Sequence, residues 1–399
     1  KMKKVFLTTI ALLSIASASV FGMYGANSGW INFLTHGNQF RARMEQLGFT
    51  LGNDTIKGTF GFFNDGRGAY GSMLSQSTAT GEAGTGLYYD FTPTISMGLA
   101  YTSSLISVGV GYNATIGPRW DRYNGKTDSK KVEAVVHTPV LVLNAMDNAF
   151  RMAIPIQVVN LTDKATDGKG SVTAVSLDAQ FRYYTGLDFL PQIRLYIKYG
   201  NYGTQFNPEG AEKIKETFAE SFGFDFRLYF GSMVEEVALQ PIVKLAYNGA
   251  LGKQHDKTKV TAISALDDAA GVPGKFASIL GGAGTESLST YSTNAAWKKG
   301  AWDLTLAPAL GLTANSDIVS LYVEPSLGLK ITQPGSATDN KAKELYSLAW
   351  GAYAEIYITP LKNLEWYFEA DVSGGDASLK EPPVNLAAST GITWYLPAL

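Results

Sequence analysis

Residues 222–230 read Phe-Gly-Phe-Asp-Phe-Arg-Leu-Tyr-Phe, and this stretch decides the fold. Its even positions are large and apolar, whereas its odd positions are small, charged or phenolic. Successive side chains of a β-strand point to opposite faces, so a period of two places all the apolar groups on one face. The stretch is also about as long as a tilted strand that crosses a bilayer, which needs roughly 9–11 residues. It therefore predicts a strand with one apolar and one polar face.

The same alternation of apolar and polar side chains recurs along most of the chain. It is seen in residues 87–101, 106–112, 150–158, 175–183, 193–199, 319–331, 346–358 and 364–371. The connections between these stretches alternate in length. Short ones occupy residues 102–104, 146–148, 186–189 and 361–363, and long polar ones occupy residues 64–82, 117–130, 204–215 and 252–300. Short turns on one rim and long loops on the other are typical of outer-membrane barrels.

This pattern predicts an all-β chain folded as a transmembrane antiparallel β-barrel of the outer-membrane type. Counting the stretches from Thr55 onward gives about 14 strands, and the even number expected of bacterial barrels sets a range of roughly 12–16. An exported soluble β-protein would alternate in the same way, with its apolar face inside. Aromatic residues near the strand ends, such as Tyr101, Tyr183 and Trp394, favour the barrel because they suit the interfacial girdles of membrane strands.

Composition excludes several classes of function. The 399 residues contain no Cys, which excludes disulfides, thiolate metal sites, thiol nucleophiles and a lipid anchor on an N-terminal cysteine. Acidic residues slightly outnumber basic ones, 35 against 33, and the basic count falls to 30 without residues 1–22. A nucleic-acid partner is therefore not expected, since such proteins concentrate basic charge on one face.

Three segments are predicted along the chain. Residues 1–22 combine lysines at the start, a short apolar core and small residues at the end, which indicates a cleaved signal peptide and export. Residues 23–54 form an N-terminal segment, either inside the barrel or as its first hairpin, with turn residues at positions 52–54. Residues 55–399 form the barrel. Its longest loop, residues 252–300, is the best candidate for an exposed epitope or a pore constriction.

The polar faces of the strands predict which residues line the pore. The predicted pore-lining residues are Arg151, Asp178, Arg182, Arg194, Lys198, Asp225, Arg227, Lys244, Glu324, Lys330, Glu355, Glu365, Glu369 and Asp371. Basic side chains prevail in the middle strands and acidic ones in the C-terminal strands. Strands adjacent in sequence are neighbours in a meander barrel, so one wall of the lumen is expected to be basic and another acidic. Such walls would sort small solutes by charge; alternatively, the charges pair with each other and fill a closed lumen.

Catalytic and metal sites have weak support. Glu365, Glu369 and Asp371 share one strand face, yet alternate carboxylates in a wet lumen are more often only solvated. The histidines show neither metal-ligand spacing nor a Ser/His/Asp arrangement. The pair Gly109 and Gly111 lies inside a strand and lacks the helix of a nucleotide site, so we interpret it as space in the lumen. We expect no enzyme activity, no cofactor and no metal.

The N-terminal part carries a distinctive string of residues. It begins Met-Tyr-Gly at residues 23–25 and continues Trp-Ile-Asn-Phe-Leu-Thr-His-Gly-Asn-Gln-Phe-Arg-Ala-Arg-Met over residues 30–44. This string resembles the mature N-terminus of the variable surface proteins (Vsp) of intestinal spirochaetes. The resemblance implies an abundant outer-membrane surface antigen with several variant copies, and it supplies no catalytic site.

Three functional hypotheses follow. The first is a major, antigenically variable surface protein whose porin-like barrel allows small solutes to diffuse passively. Its expected partners are outer-membrane lipid, further copies of the same chain or family, and host immune recognition of the surface loops. The second is a plugged, non-conducting structural surface antigen in which residues 23–51 fill the barrel. The third is a barrel enzyme or a transporter of hydrophobic solutes.

Overall fold

The structure is a computed structural model that describes most of the chain. The described residues are 29–43, 46–64, 76–81, 84–89, 93–124, 128–163, 170–206, 214–234, 237–251, 302–333, 343–374 and 384–396. The predicted signal peptide, residues 1–22, and the longest predicted loop, residues 252–300, lie outside them. Within the described ranges, no helix has the length and hydropathy needed to cross a membrane.

The described elements are one short helical segment and a series of strands. The helical segment consists of α1 (Gly29–Asn32) and a 3-10 turn (Phe33–Thr35). The strands are β1 (Gln39–Arg43), β2 (Gln46–Gly52), β3 (Ile56–Asn64), β4 (Gln76–Gly81), β5 (Gly84–Tyr89), β6 (Pro93–Tyr101), β7 (Ile106–Asn124), β8 (Asp128–Ala145), β9 (Phe150–Asp163), β10 (Gly170–Tyr184), β11 (Gln192–Phe206), β12 (Ile214–Tyr229), β13 (Ser232–Val234), β14 (Val237–Leu251), β15 (Trp302–Asn315), β16 (Val319–Gln333), β17 (Leu345–Leu361), β18 (Leu364–Gly374) and β19 (Asn385–Leu396).

These strands form one antiparallel sheet that closes on itself as a barrel of 16 strands. Closure is made by β1, which pairs with β2 on one side and with β19 on the other. Three strands are not separate members of the wall. The β4–β5 hairpin extends beyond it and pairs with β7, while β13 continues β12 along β14 after a short break. The prediction of an all-β antiparallel barrel is confirmed.

The predicted count of about 14 strands is wrong, because the wall has 16, which is the upper end of the predicted range of 12–16. The count began at Thr55 and left residues 39–51 in the N-terminal segment, which was expected either inside the barrel or as its first hairpin. Those residues instead supply β1 and β2, which are separated at residues 44 and 45. Met44 and Glu45 are not turn-forming types, and β1 has only five residues, so neither strand has a clear boundary in the sequence.

Residues 117–130 were expected to form a long loop, and this expectation is also wrong. The hairpin of β7 and β8 extends through most of this range and leaves only residues 125–127 between the strands. Pairing continues past a register shift between Ile116 and Arg119, where Gly117 and Pro118 interrupt the ladder. Backbone hydrogen bonds therefore maintain strands beyond the point where the apolar alternation ends.

The two faces of the wall differ in the way that the alternation predicts. On β6, Met97 and Leu99 are about half exposed, whereas Ser96 and Ala100 are buried on the other face. The phase changes across the turn at residues 102–105, so on β7 the exposed residues are Ile106, Val108 and Val110. Because the helical segment packs on the face that carries Ala100, that face is the inner one.

Candidate functional site

The helical segment lies inside the barrel, near the rim with the short turns. Residues 29–36, which we call the inner segment, bury an apolar cluster against the inner face of the wall. The cluster comprises Trp30, Ile31, Phe33 and Leu34 from the segment, Ala100 from β6, Val140 and Val142 from β8, and Ala153 from β9. Trp30 and Phe33 are fully buried and meet edge to face, with ring centroids 5.6 Å apart. Their burial provides most of the attraction that holds the segment in place.

Glycines on the wall make room for Trp30. A Cβ added at Gly111 would lie 2.2 Å from Cη2 of Trp30, and one at Gly98 would lie 2.8 Å from Cζ3. A Cβ at Gly109 would lie 3.2 Å from Cδ2 of Leu34. The space that the sequence predicts at Gly109 and Gly111 is thus occupied by the chain's own inner segment.

Polar contacts fix the end of the inner segment. The Lys57 Nζ donates to the backbone oxygens of Leu34, at 2.8 Å, and of His36, at 2.7 Å. From the other side, Arg151 Nη1 donates to Asn32 Oδ1 at 3.0 Å. Burial, and after it the nearby cations Arg41, Lys57 and Arg151, together lower the pKa of His36 to about 4. The segment is therefore held by cations that disfavour a positive charge on its histidine.

Five basic side chains occupy directly paired positions on five neighbouring wall strands. Arg182 pairs with Arg151 and with Arg194, Arg194 pairs with Arg227, and Arg227 pairs with Lys244. These residues belong to β9, β10, β11, β12 and β14, and we call them the basic row. Neighbouring strands lie about 4.8 Å apart, so the row covers roughly 20 Å of wall. It climbs the wall obliquely, since barrel strands tilt by about 35–45°.

Tyrosine rings stack beneath three of these cations. The guanidinium of Arg151 lies 4.7 Å from the ring centroid of Tyr184, and that of Arg194 lies 4.5 Å from the ring centroid of Tyr229. The guanidinium of Arg227 lies 5.0 Å from the ring centroid of Tyr196. Stacking stabilises each guanidinium and orients its plane while leaving the N–H donors at its edge available.

Two cations of the basic row have carboxylate partners. Arg227 pairs with Asp225, two residues away on the same strand. Lys244 pairs with Glu324, which lies on β16 beyond the intervening strand β15. The position of β15 that faces Lys244 is Ala307, whose small side chain allows the lysine to reach across it. This ion pair marks the boundary between the basic and acidic parts of the wall.

The acidic part of the wall lies on β16, β17 and β18, where tyrosine hydroxyls donate to the carboxylates. Pairs are formed by Tyr322 with Glu324, Tyr353 with Glu355, Tyr357 with Glu369 and, over 3.5 Å, Tyr395 with Glu365. Glu355 and Glu369 occupy directly paired positions and are almost fully buried. Tyrosine therefore has two roles in the lumen, as a stacking face for arginine and as a donor for glutamate.

The structure brings most of the predicted pore-lining residues into these two groups. Asp178 and Lys198 occupy paired positions on β10 and β11, and the Asp178 side chain lies outside the described residues. Asp371 faces Tyr353 in the acidic part of the wall. Lys330 belongs to neither group; its directly opposite positions in the sheet are Thr305 on β15 and Ser347 on β17.

Sequence reasoning missed several residues of the lumen. Arg41 on β1 is buried and stacks on Tyr395, with its guanidinium carbon 6.0 Å from the ring centroid. Its alternation with Phe40 and Ala42 is a signal that could have found it. The inner-face tyrosines also follow the period of two, but they do not stand out beside the charged residues. Among the described residues, no group of three or more His, Asp or Glu side chains is arranged to hold a metal ion.

The chain is similar to one known family across nearly its whole length. The model of the family described as Serpulina hyodysenteriae variable surface protein matches residues 3–395. No curated protein matches the chain.

Among solved structures, the chain is similar to the copper transporter OprC, with 10% identity and a TM-score of 0.40. That likeness covers 90% of this chain and 64% of the transporter, so the chain spans less than two thirds of its length. The translocator domain of autotransporter NalP from Neisseria meningitidis is 15% identical, with a TM-score of 0.32, over 73% of this chain and 89% of the domain.

Proposed function

The chain belongs to the variable surface protein family, and we propose that it is an outer-membrane surface protein whose barrel lets small solutes diffuse through its lumen. The observation that carries this proposal is the division of the inner wall into a basic and an acidic part. Side chains that only fill a closed core are mostly apolar, whereas these inner strands present charged and phenolic groups. Barrels of 16–18 strands are also wide enough to leave an aqueous channel.

The outer face supports insertion in a membrane. Large apolar side chains remain exposed on most strands of the wall, and several of them are 50% exposed or more, including Met97, Leu99, Val110, Leu327 and Leu348. Such a surface on a soluble protein would cause association, whereas lipid covers it without cost. Outer-face aromatic groups also stack across strands, as Phe224, Tyr247 and Trp302 do.

Export and exposure to the host are further parts of the proposal. Residues 1–22 would direct export and be removed, and the long connections would face the outside of the cell. Residues 252–301 form the longest connection between barrel strands and are the best candidate for an antigenic surface. Further copies of the family are the expected partners in the membrane, and no catalytic role is proposed.

Single-channel conductance of the refolded protein in a planar bilayer tests the proposed diffusion. We expect stable ohmic steps, and we expect the double variant Glu365→Gln/Glu369→Gln to shift ion selectivity towards anions because it removes two carboxylates from the wall. Lys362→Gln, in the exposed turn between β17 and β18, is the matched control that should leave selectivity unchanged. A folded, heat-modifiable barrel without conductance would contradict the proposal.

The inner segment favours a second candidate, a barrel whose lumen is blocked. Trp30 and Phe33 are fully buried inside the wall and occupy the lumen beside β6, β7, β8 and β9. A protein that conducts only after deletion of residues 23–38 would be a plugged surface antigen. A protein that conducts equally with and without these residues would be an open pore with its inner segment packed to one side.

A further inference from the structure

Three adjacent arginines of the basic row have no acidic partner among the side chains that the structure describes. The donors of Arg151 bond to neutral oxygens of Asn32 and Asn148, and Arg194 Nε donates to the Gln192 side chain at 3.0 Å. Within the described part of the chain, none of Arg151, Arg182 and Arg194 forms an ion pair with a carboxylate. Three like charges in directly paired positions repel each other, so the wall concentrates positive charge at this place.

Arg182 lies at the centre of this cluster and has unused hydrogen-bonding capacity. Its side chain is only 4% exposed, and its Nε has no hydrogen-bond partner. Leaving a buried donor of a charged group unpaired is unfavourable, because the group loses its hydration without gaining an acceptor. An anion seated between Arg151, Arg182 and Arg194 would supply that acceptor and also relieve the repulsion.

We propose that Arg151, Arg182 and Arg194 form a binding site for small oxyanions of the phosphate class, with Arg227 and Lys244 continuing the basic row as its approach. Oxyanions suit the site better than halides, since the fork of guanidinium donors matches two oxygens of one ligand. The tyrosines beneath Arg151 and Arg194 hold the guanidinium planes in place before the ligand arrives. The inference deepens the proposed function and rests on it in one respect, namely that a solute reaches the site through the lumen.

The ion pairs at the Lys244 end of the basic row make the attraction for anions unequal along the row. Arg227 and Lys244 carry carboxylate partners, so the attraction for an anion increases from Lys244 towards Arg182. Asn32 of the inner segment bonds to Arg151 at the other end, which places this end of the arginine cluster beside the inner segment.

Calorimetric titration of the refolded full chain in detergent with inorganic phosphate, at neutral pH and low ionic strength, tests the site. We expect saturable binding that Arg182→Gln weakens by ~10- to 100-fold, as loss of a charged hydrogen-bonding group predicts. Arg182→Lys keeps the charge and a folded barrel but loses the fork, so it should weaken phosphate binding by roughly tenfold. Lys330→Gln, which removes a cation from another part of the same lumen, is the control and should leave phosphate binding unchanged.

Three results would overturn the proposed site. They are absence of phosphate binding by the folded protein, equal weakening by Lys330→Gln and Arg182→Lys, and binding of chloride as tightly as phosphate. The second and third results would indicate that anions are attracted by the general positive potential of the lumen and not by a specific site. Phosphate binding without conductance would support the oxyanion site and contradict the proposed diffusion. Conductance without phosphate binding would support the diffusion and contradict the site.

Discussion

Acidification should release the inner segment from the barrel wall, because His36 is docked in its neutral form. Its pKa is about 4 when the segment is docked and about 6.5 when the ring is in water. The undocked form therefore binds a proton more readily between these two values. Docking is at full strength above pH 6.5, weakens as the pH falls towards 4, and changes no further below that.

The size of the effect follows from the same two values. Each pKa unit corresponds to about 1.4 kcal/mol, and the ring keeps partial contact with water, so the docking free energy should fall by about 2–3 kcal/mol. This is a ~30- to 150-fold increase in the population of the undocked segment.

The absence of Cys provides a direct assay. Leu34→Cys places a single thiol at a position that is 4% exposed when docked, and its rate of modification by a water-soluble thiosulfonate reports undocking. Ser104→Cys in an exposed turn supplies the intrinsic rate at each pH. The normalised rate should rise between pH 6.5 and 4, and His36→Gln should remove that rise. An equal rise in the His36→Gln protein would refute the assignment to His36.

Three further predictions follow from the inner segment and the ion pair. Gly111→Leu should prevent docking of the inner segment, because its Cβ alone would lie 2.2 Å from Trp30. Gly58→Ala is the control: its Cβ would meet nothing closer than 3.9 Å, so the segment should dock normally. The rate of thiol labelling at Leu34→Cys in each variant measures the difference. Trp30→Ala should weaken docking by about 3–5 kcal/mol, measured as faster proteolysis of the segment in an otherwise folded barrel. Lys244→Met should lower the free energy of unfolding in urea by about 1–3 kcal/mol by leaving the Glu324 carboxylate without its cation, and adding Glu324→Gln should recover part of the loss.

The faces of the strands could be predicted from the sequence, but the neighbours of each side chain could not. A period of two is enough to place Arg182 and Arg194 on one face. Their direct pairing depends on the turn between β10 and β11, which the sequence places at residues 186–189 and which spans residues 185–191. Gly186, with a φ of +76°, is the second residue of that wider turn. The basic row exists only because several such turns set compatible registers.

The inner segment illustrates a different limit of sequence reasoning. Trp30, Ile31, Phe33 and Leu34 follow a helical spacing and break the period of two, so their pattern distinguishes them from the strands. The place where they dock is defined by glycines on other strands, far away in sequence, and by the closure of the wall. Local pattern therefore identifies the segment, while its position depends on the complete barrel.

The pairing of β1 with β19 has a consequence for assembly. It joins residues 40–43 to residues 393–396 through four paired positions, whereas β10 and β11 share fifteen. Contacts between such distant parts of the chain form late, because the intervening chain must first be ordered. We therefore expect the pairing of β1 with β19 to be the last part of the wall to form and the first to separate when the barrel unfolds. Substitutions in β1 should alter the rate at which the barrel inserts and seals more than they alter the strength of its other hairpins.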